Sequence, residues 1–507
     1  MSDSEVYDLF VVGGGINGTG IAADAAGRGW RVALAEMADL ASATSSASSK
    51  LIHGGLRYLE YYEFRLVREA LAEREVLLRK APHLIWPLRF VLPHVPGVRP
   101  AWMVRAGLFL YDHLHSREQI PASRSLDLAA DPAGQPLKPE FNRGFTYWDC
   151  WVDDARLVVL NAKAARQRGA RVMTRTRVTA LMPIGDQWQI EIDDGQSKRL
   201  IRARALVNAA GPWVDGVDKL MQPGGRGLDN ARHVRLIKGS HLVVRRIAGA
   251  DDAYLMQNRD KRVVFVLPFE EHFTIIGTTD VAYEGDPAAV AASAEEEKYL
   301  LDLAAQFFKQ RLTPADVVWR YAGVRPLYDD ASADPSAVTR DYHLTLAAAP
   351  GRPPCVSVYG GKVTTYRRLA EEALALLGPQ LGGAVRPPWT ATAPLPGGDV
   401  PGGSFDDSVA DMQRRYPSFD PLQLKRMTRR HGTLVGEIIG DARSPADMGQ
   451  AFGAGLTERE VGYMKSAEWA TQPDDILWRR SKLGLHALAS ASTDDQHRLA
   501  EKIAKLL

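Results

Sequence analysis

The chain has 507 residues, 45% of them hydrophobic and 24% charged, with 63 Lys and Arg against 61 Asp and Glu. That length exceeds one simple core and points to two or three domains, while a net charge of +2 argues against a nucleic-acid binder that works by bulk charge. Two cysteines, Cys150 and Cys355, exclude a disulfide scaffold and a cysteine-rich metal centre and fit a reducing cytosol.

Residues 1–7 are polar and acidic and read as carrying no signal peptide, and no run reaches the ~18 apolar residues of a spanning helix. Residues 9–12 are a short apolar run suited to a buried parallel strand. Gly13, Gly15 and Gly18 follow in GxGxxG spacing, and residues 16–28 read as a helix stopped by Gly29. Residues 31–36 read as a second strand ending in Glu36. The glycines permit a tight turn, close approach to a pyrophosphate, and close helix–strand packing; the helix N-terminus faces the phosphates. Glu36 stands where an acid accepts hydrogen bonds from an adenosine ribose, about 20 residues on. Because strand, glycines, helix, strand and acid occur in order, the unit predicts dinucleotide binding.

Residues 39–49 are dense in Ser, Ala and Thr and run into Lys50, Leu51, Ile52, His53, Gly54, Gly55, Leu56, Arg57 and Tyr58. Two glycines between a His and an Arg-Tyr pair read as a loop against a planar ligand rather than as a linker. The pattern over 64–80 predicts an amphipathic helix. Residues 84–114 interleave Trp, Phe and Leu with Arg89, Arg99 and Arg105, which suits either a monotopic membrane surface or a buried strand pair and helix. Residues 120–146 read as a long loop, 151–168 as a helix opening on Asp153 and Asp154, and 171–201 as short strands. A buried strand over 205–209 runs into Ala210 and Gly211, a second close backbone approach. Residues 234–281 are strand-rich, 295–311 helical, and a last apolar strand, 355–359, is followed by Gly360, Gly361 and Lys362 and a helix to about 377. Pro and Gly concentrate over 387–403, and beyond it the pattern is helical, with a predicted capping box from Thr457 to Glu460.

Glycine-rich strand ends spread over most of the chain suggest one large cofactor touched by distant segments. Flavin adenine dinucleotide fits better than a nicotinamide, whose site is usually complete within one Rossmann unit. At this point the chain resembles the aerobic, FAD-linked sn-glycerol-3-phosphate dehydrogenases over nearly its whole length. The resemblance rests on Gly13-Gly14-Gly15-Ile16-Asn17-Gly18, the run from Ser45 to Glu60, Trp151-Val152-Asp153-Asp154-Ala155-Arg156-Leu157, Ile237-Lys238-Gly239-Ser240-His241, Ile276-Gly277-Thr278-Thr279-Asp280, Gly323-Val324-Arg325-Pro326-Leu327 and Gly360-Gly361-Lys362.

The resemblance implies an α/β (α+β) architecture: a Rossmann-like FAD-binding domain, a β-rich substrate domain of the D-amino-acid-oxidase kind, and a C-terminal helical domain. The expected division is 1–80 with 145–230 and 320–385 for the discontinuous FAD-binding domain, 81–144 with 231–319 for a substrate-binding, membrane-facing region, 386–403 for a linker, and 404–507 for the helical domain. It implies non-covalent FAD against Gly13, Gly15, Asn17, Gly18, Glu36, Thr44, Ser45, Ser49, Lys50, Leu51, Gly54, Gly55, Val178, Ala210, Gly211, Gly361, Lys362 and Thr364.

The implied substrate, sn-glycerol 3-phosphate, carries a dianion that needs fixed cations. Arg57, Arg325, Arg340 and Lys362 are the candidates, with Tyr58 and Thr279 as partners. His53 and His241 are the candidate bases and, with Arg325, the expected catalytic residues. No metal is expected. The resemblance also implies a ubiquinone acceptor and peripheral attachment to the inner face of the cytoplasmic membrane, with no nucleic-acid partner; a homodimer is left open. An oxygen-reducing oxidase of the same architecture is the nearest rival, separated by peroxide release.

Overall fold

The computed structural model describes residues 6–221, 234–258, 262–329, 341–382, 386–400, 403–490 and 493–507. Two mixed sheets carry the site. In the first, strands follow the order His343–Ala349, Arg352–Tyr359, Lys198–Asn208, Val6–Val12, Val32–Ala35, Arg171–Met173, and the hairpin Arg177–Ile184/Gln187–Asp193 extends from Lys198–Asn208. Val6–Val12 lies parallel to both neighbours, with Val12 opposite Asn208 on one side and Ala35 on the other. Its inner residues are apolar because both faces are covered: Leu9 and Val11 pack with Ile21, Ala22, Leu157 and Leu369 from the helices Ile16–Gly27, Asp154–Gln167 and Tyr366–Leu381.

Two glycines set how closely that first helix approaches the sheet. Gly13 turns with φ at +110°, and a Cβ there would meet the Ala209 carbonyl oxygen at 2.5 Å. A Cβ on Gly18 would meet the Gly13 carbonyl oxygen at 1.9 Å. Gly18 therefore works by packing and does not border the cavity described below.

The second sheet has ten strands, in the order Val281–Ala282, Val234–Arg245, Phe273–Gly277, Val263–Phe269, Ala253–Gln257, Ile85–Pro93, Arg143–Val152, Leu51–Ile52, with Val317–Tyr328 on Val234–Arg245 and Arg124–Asp127 on Arg143–Val152. Arg143–Val152 and Val317–Tyr328, allotted from sequence mainly to the first domain, pair here instead. The expected loop at 120–146 contains Arg124–Asp127 and the start of Arg143–Val152. The helix expected from 151 starts only at Asp154, where the Asp153 side chain accepts the Arg156 N–H at 3.2 Å.

The stretch 84–114 divides. Ile85–Pro93 is a core strand with Phe90 and Val91 fully buried, whereas the helix Ala101–His113 buries only Leu108, Tyr111 and Asp112. Among the described residues no helix is long and apolar enough to cross a membrane.

The C-terminal region comprises helices Phe405–Arg415, Pro421–His431, Val435–Ile439, Glu458–Glu468, Leu483–Ser490 and Thr493–Ala504, plus a small hairpin, Ala451–Gly453/Leu456–Thr457, that sequence did not anticipate. The predicted capping box does not form. The buried Thr457 hydroxyl has no partner among the described residues, and the Glu460 carboxylate turns inward to Arg430 and His431 at 2.6 and 2.8 Å. The expected linker is docked on the body of the protein: Trp389 donates its ring N–H to the Asp24 carbonyl at 3.1 Å, and Lys80 donates to the Thr390 and Ala393 carbonyls.

Candidate active site

A cavity of about 730 Å³ is lined by residues of both sheets. It opens at the C-terminal ends of Val6–Val12, Val32–Ala35 and Lys198–Asn208, where ligands of open parallel sheets bind. At this end Val12, Gly13, Ala35, Glu36 and Val178 form the wall. Glu36 accepts the Gly14 N–H at 2.6 Å and the Ala38 N–H at 2.8 Å. Burial pushes its carboxyl up, and those two N–H groups pull it back. Gly15, Asn17 and Ala209 to Gly211 continue the wall.

The small-residue run closes over the first helix. Ser45 Oγ accepts the Ile16 N–H at 3.0 Å, and the Thr44 hydroxyl donates to the Val324 carbonyl at 2.6 Å. Both residues line the cavity, as do Ser49, Leu51, His53, Tyr58, Gly361, Lys362 and Thr364. Asn17 bridges to the other wall by donating to the Gly360 carbonyl at 3.2 Å, and the His53 N–H donates to the Thr364 hydroxyl oxygen at 3.2 Å. These segments are hundreds of residues apart in sequence and meet around one cavity.

The lining also carries His241, Thr278, Arg325 and Lys362. His241 is buried, stacks on Tyr321 with centroids 4.6 Å apart, and shares a 2.9 Å hydrogen bond between Nε2 and Ser49 Oγ. Burial, reinforced by the cations Lys50 and Arg325, lowers its pKa to about 3, so the ring is neutral at neutral pH. Arg325 donates from Nη2 to the Thr279 carbonyl at 3.1 Å and pairs with Asp280. Lys362 Nζ is buried with no hydrogen-bond partner among the described residues and lies 4.0 Å from the centroid of the Tyr58 ring.

Several expected site residues stand elsewhere. Lys50 is a strut: buried, it pairs with Asp154 at 2.7 Å and donates to the Ser46 carbonyl, pinning the loop to the start of the helix Asp154–Gln167. The Gly54 N–H is held from beneath by the Tyr111 hydroxyl and by Asp149, itself paired with Arg74, and Gly55 turns under Tyr58 with φ at +77°. Arg57 lies on the short helix Leu56–Tyr61, off the cavity wall. Thr279 faces the core, where its hydroxyl donates to Glu296 at 2.7 Å and accepts the Ser240 N–H at 3.0 Å; its neighbour Thr278 takes the cavity side. Arg340 lies outside the described residues. Arg177, Trp213 and Phe265 line the cavity without any motif that marks them.

The donor set fits an adenine dinucleotide carrying a flavin. There is a carboxylate at the strand end where a ribose sits, a wall too tight for side chains at Gly13, and a buried lysine ammonium with no hydrogen-bond partner among the described residues. Comparison with known proteins agrees. The family model described as FAD dependent oxidoreductase matches residues 8–367. A glycerol-3-phosphate dehydrogenase of Pseudomonas aeruginosa is 56% identical over 95% of this chain and 93% of its own length. A D-erythritol 1-phosphate dehydrogenase of Brucella abortus is 49% identical over 96% of each chain. A crystal structure of the glycerol-3-phosphate dehydrogenase of Bacillus halodurans complexed with FAD superposes with a TM-score of 0.74 at 26% identity, covering 99% of this chain and 95% of that one.

Proposed function

This chain belongs to the FAD-dependent oxidoreductases and, within them, to the glycerol-3-phosphate dehydrogenases, and we propose that it oxidises sn-glycerol 3-phosphate to dihydroxyacetone phosphate and passes the electrons to a membrane quinone. The observation that carries the substrate is the pair of cations lining one cavity, Arg325 held in orientation by Asp280, and Lys362 with no hydrogen-bond or ion-pair partner among the described residues. A planar guanidinium oriented through one nitrogen keeps its other donors for a phosphate. In this reading the first sheet carries the cofactor, the second the substrate wall, and the helical region braces both.

Bound FAD supplies the oxidising group, a ring that accepts hydride. The protein's own part is to take the hydroxyl proton and to hold the phosphate. His241 receives the proton at Nε2, the nitrogen it shares with Ser49. Burial depresses its basicity most, then Lys50 and Arg325; a phosphate dianion seated on Arg325 offsets only the last and smallest of these influences. His53, on the opposite wall, fixes the loop against Thr364.

The test is anaerobic. The yellow flavin absorbance of the holoenzyme bleaches on adding sn-glycerol 3-phosphate and stays unchanged with glycerol or D-amino acids. Faster bleaching by D-erythritol 1-phosphate moves the substrate to a four-carbon polyol phosphate, and peroxide release under air makes the enzyme an oxidase.

Attachment to a membrane surface is supported by the helix Ala101–His113, which leaves Trp102 at 71% and Phe109 at 56% exposure, with Met103 and Leu110 exposed beside them. Tyr61, Tyr62 and Phe64 add to this face, and Arg99 ties the two segments together through Glu60 at 2.5 Å. Exposed aromatic and aliphatic groups next to arginines suit an interfacial helix. Changing Trp102 and Phe109 together to Ser is expected to move the protein from the lipid pellet to the supernatant with its FAD retained; unchanged pelleting rules this face out.

A further inference from the structure

A second cavity, of about 360 Å³, lies between the second sheet and the C-terminal helices. It shares a wall with the first: Ser49 and Leu51 line the catalytic cavity, whereas Lys50 between them lines this one. Cations outnumber acids around it. Most of them are neutralised, Arg426 by Glu271, Arg430 by Glu460 and Lys482 by Asp153.

Two cations lack an ion pair among the described residues, though the Asp406 carboxylate acts on one of them, Arg429, and a buried polar ring nearby lacks hydrogen bonds. Arg429 forms no ion pair with a described residue; its guanidinium lies 4.1 Å from the Trp86 ring centroid and 3.3 Å from that of Phe405, and it donates to the Pro82 carbonyl at 3.4 Å. Lys425, one turn earlier on the helix Pro421–His431, is exposed and has no ion-pair partner among the described residues. His83 is fully buried, with neither ring nitrogen bonded to any described residue. Burial with like-charged neighbours, Arg429 among them, keeps that ring neutral, and burial lowers Arg429 to about 9. Burying a polar ring with neither nitrogen bonded is unfavourable unless something else completes it.

We propose that this cavity is a second binding site, for a compact soluble anion of the phosphate or diphosphate class, held by Arg429 and Lys425 with a His83 ring N–H as a further donor. The guanidinium fork matches two oxygens of such an anion at once. The volume stands at the low end of small-ligand pockets, which run from about 300 Å³, and so favours a compact ligand. The exposed helix face bearing Trp102 and Phe109 contributes no wall to this cavity, so a soluble anion is favoured over a lipid headgroup.

The probe is inorganic pyrophosphate, titrated calorimetrically into FAD-loaded protein in phosphate- and sulfate-free buffer. Binding is expected in the wild type and in Arg325→Ala, with Kd raised about tenfold or more in Arg429→Gln, the loss typical of one charge-assisted contact. Because Arg429 packs between Trp86 and Phe405, Lys425→Gln supplies the control that leaves the fold alone, and a rise of several-fold is expected there. Absence of binding in the wild type, or binding that survives both Arg429→Gln and Lys425→Gln unchanged, overturns the proposal.

Discussion

Arg325→Ala is expected to raise the KM for sn-glycerol 3-phosphate by about tenfold to a hundredfold while the flavin spectrum of the purified protein stays intact. The magnitude follows from losing a charge-assisted contact worth ~1.5–3 kcal/mol, with each ~1.4 kcal/mol a factor of ten. The flavin is spared because the cofactor wall is built from other segments: Glu36 on the Gly14 and Ala38 amides, Ser45 on the Ile16 amide, and Asn17 on the Gly360 carbonyl. Among the described residues the Arg325 side chain hydrogen-bonds to the Thr279 carbonyl and Asp280. Arg325→Lys should recover part of the loss, since it restores the charge without the fork. Steady-state kinetics decide the matter: a KM unchanged in Arg325→Ala removes this residue from phosphate binding and leaves Lys362 as the principal cation of the wall.

What sequence made legible depended on how local the determinants are. The helix Phe64–Lys80 agrees with its expected limits because periodicity and end residues lie within one short window. The nucleotide-binding unit was equally clear, since turn, helix and strand obey one steric logic within 30 residues or so. The strand Arg143–Val152 was not: its Trp and Tyr residues gain their meaning from pairing with Ile85–Pro93, a partner set by tertiary contact.

Arg325, Lys362 and His241, taken from the segments that carry the family resemblance, line the cavity, yet Thr279 was chosen where Thr278 borders it. Adjacent residues in extended chain point to opposite sides, so one position of error reverses a role. Lys50 shows a further limit. It lies in the right loop, but its side chain turns away to Asp154, and nothing in the sequence near residue 50 announces a carboxylate more than 100 positions on.

The largest effect on stability should come from Arg156→Met. Arg156 is fully buried on the helix Asp154–Gln167, against the first sheet, and its guanidinium reaches across to the C-terminal helices: it pairs with Glu468, also fully buried, donates from Nε to the Arg430 carbonyl at 3.0 Å, and contacts His431 Nδ1 at 3.3 Å. His431 in turn binds Glu460 at 2.8 Å. Burial disfavours both carboxylates as ions, but Arg156 holds Glu468 far below the ordinary carboxylate range and Arg430 with His431 holds Glu460 at about 2.

Removing one partner of a buried pair strands the other charge, a loss of ~3–5 kcal/mol, whereas replacing both by apolar groups is often nearly neutral. Urea unfolding of the FAD-loaded protein should therefore show a large drop for Arg156→Met and substantial recovery in Arg156→Met/Glu468→Leu. The pH dependence has a definite sign. In the wild type the folded carboxylates titrate below their unfolded value of about 4.5, so their contribution is complete above that pH and is lost as pH falls toward 2. In Arg156→Met the stranded Glu468 gains relief by taking up a proton, so the deficit relative to wild type should be greatest near pH 7 and shrink toward pH 5. A single variant within about 1 kcal/mol of wild type, or a double variant no more stable than the single, would mean that apolar packing rather than this ion network joins the helical region to the first sheet.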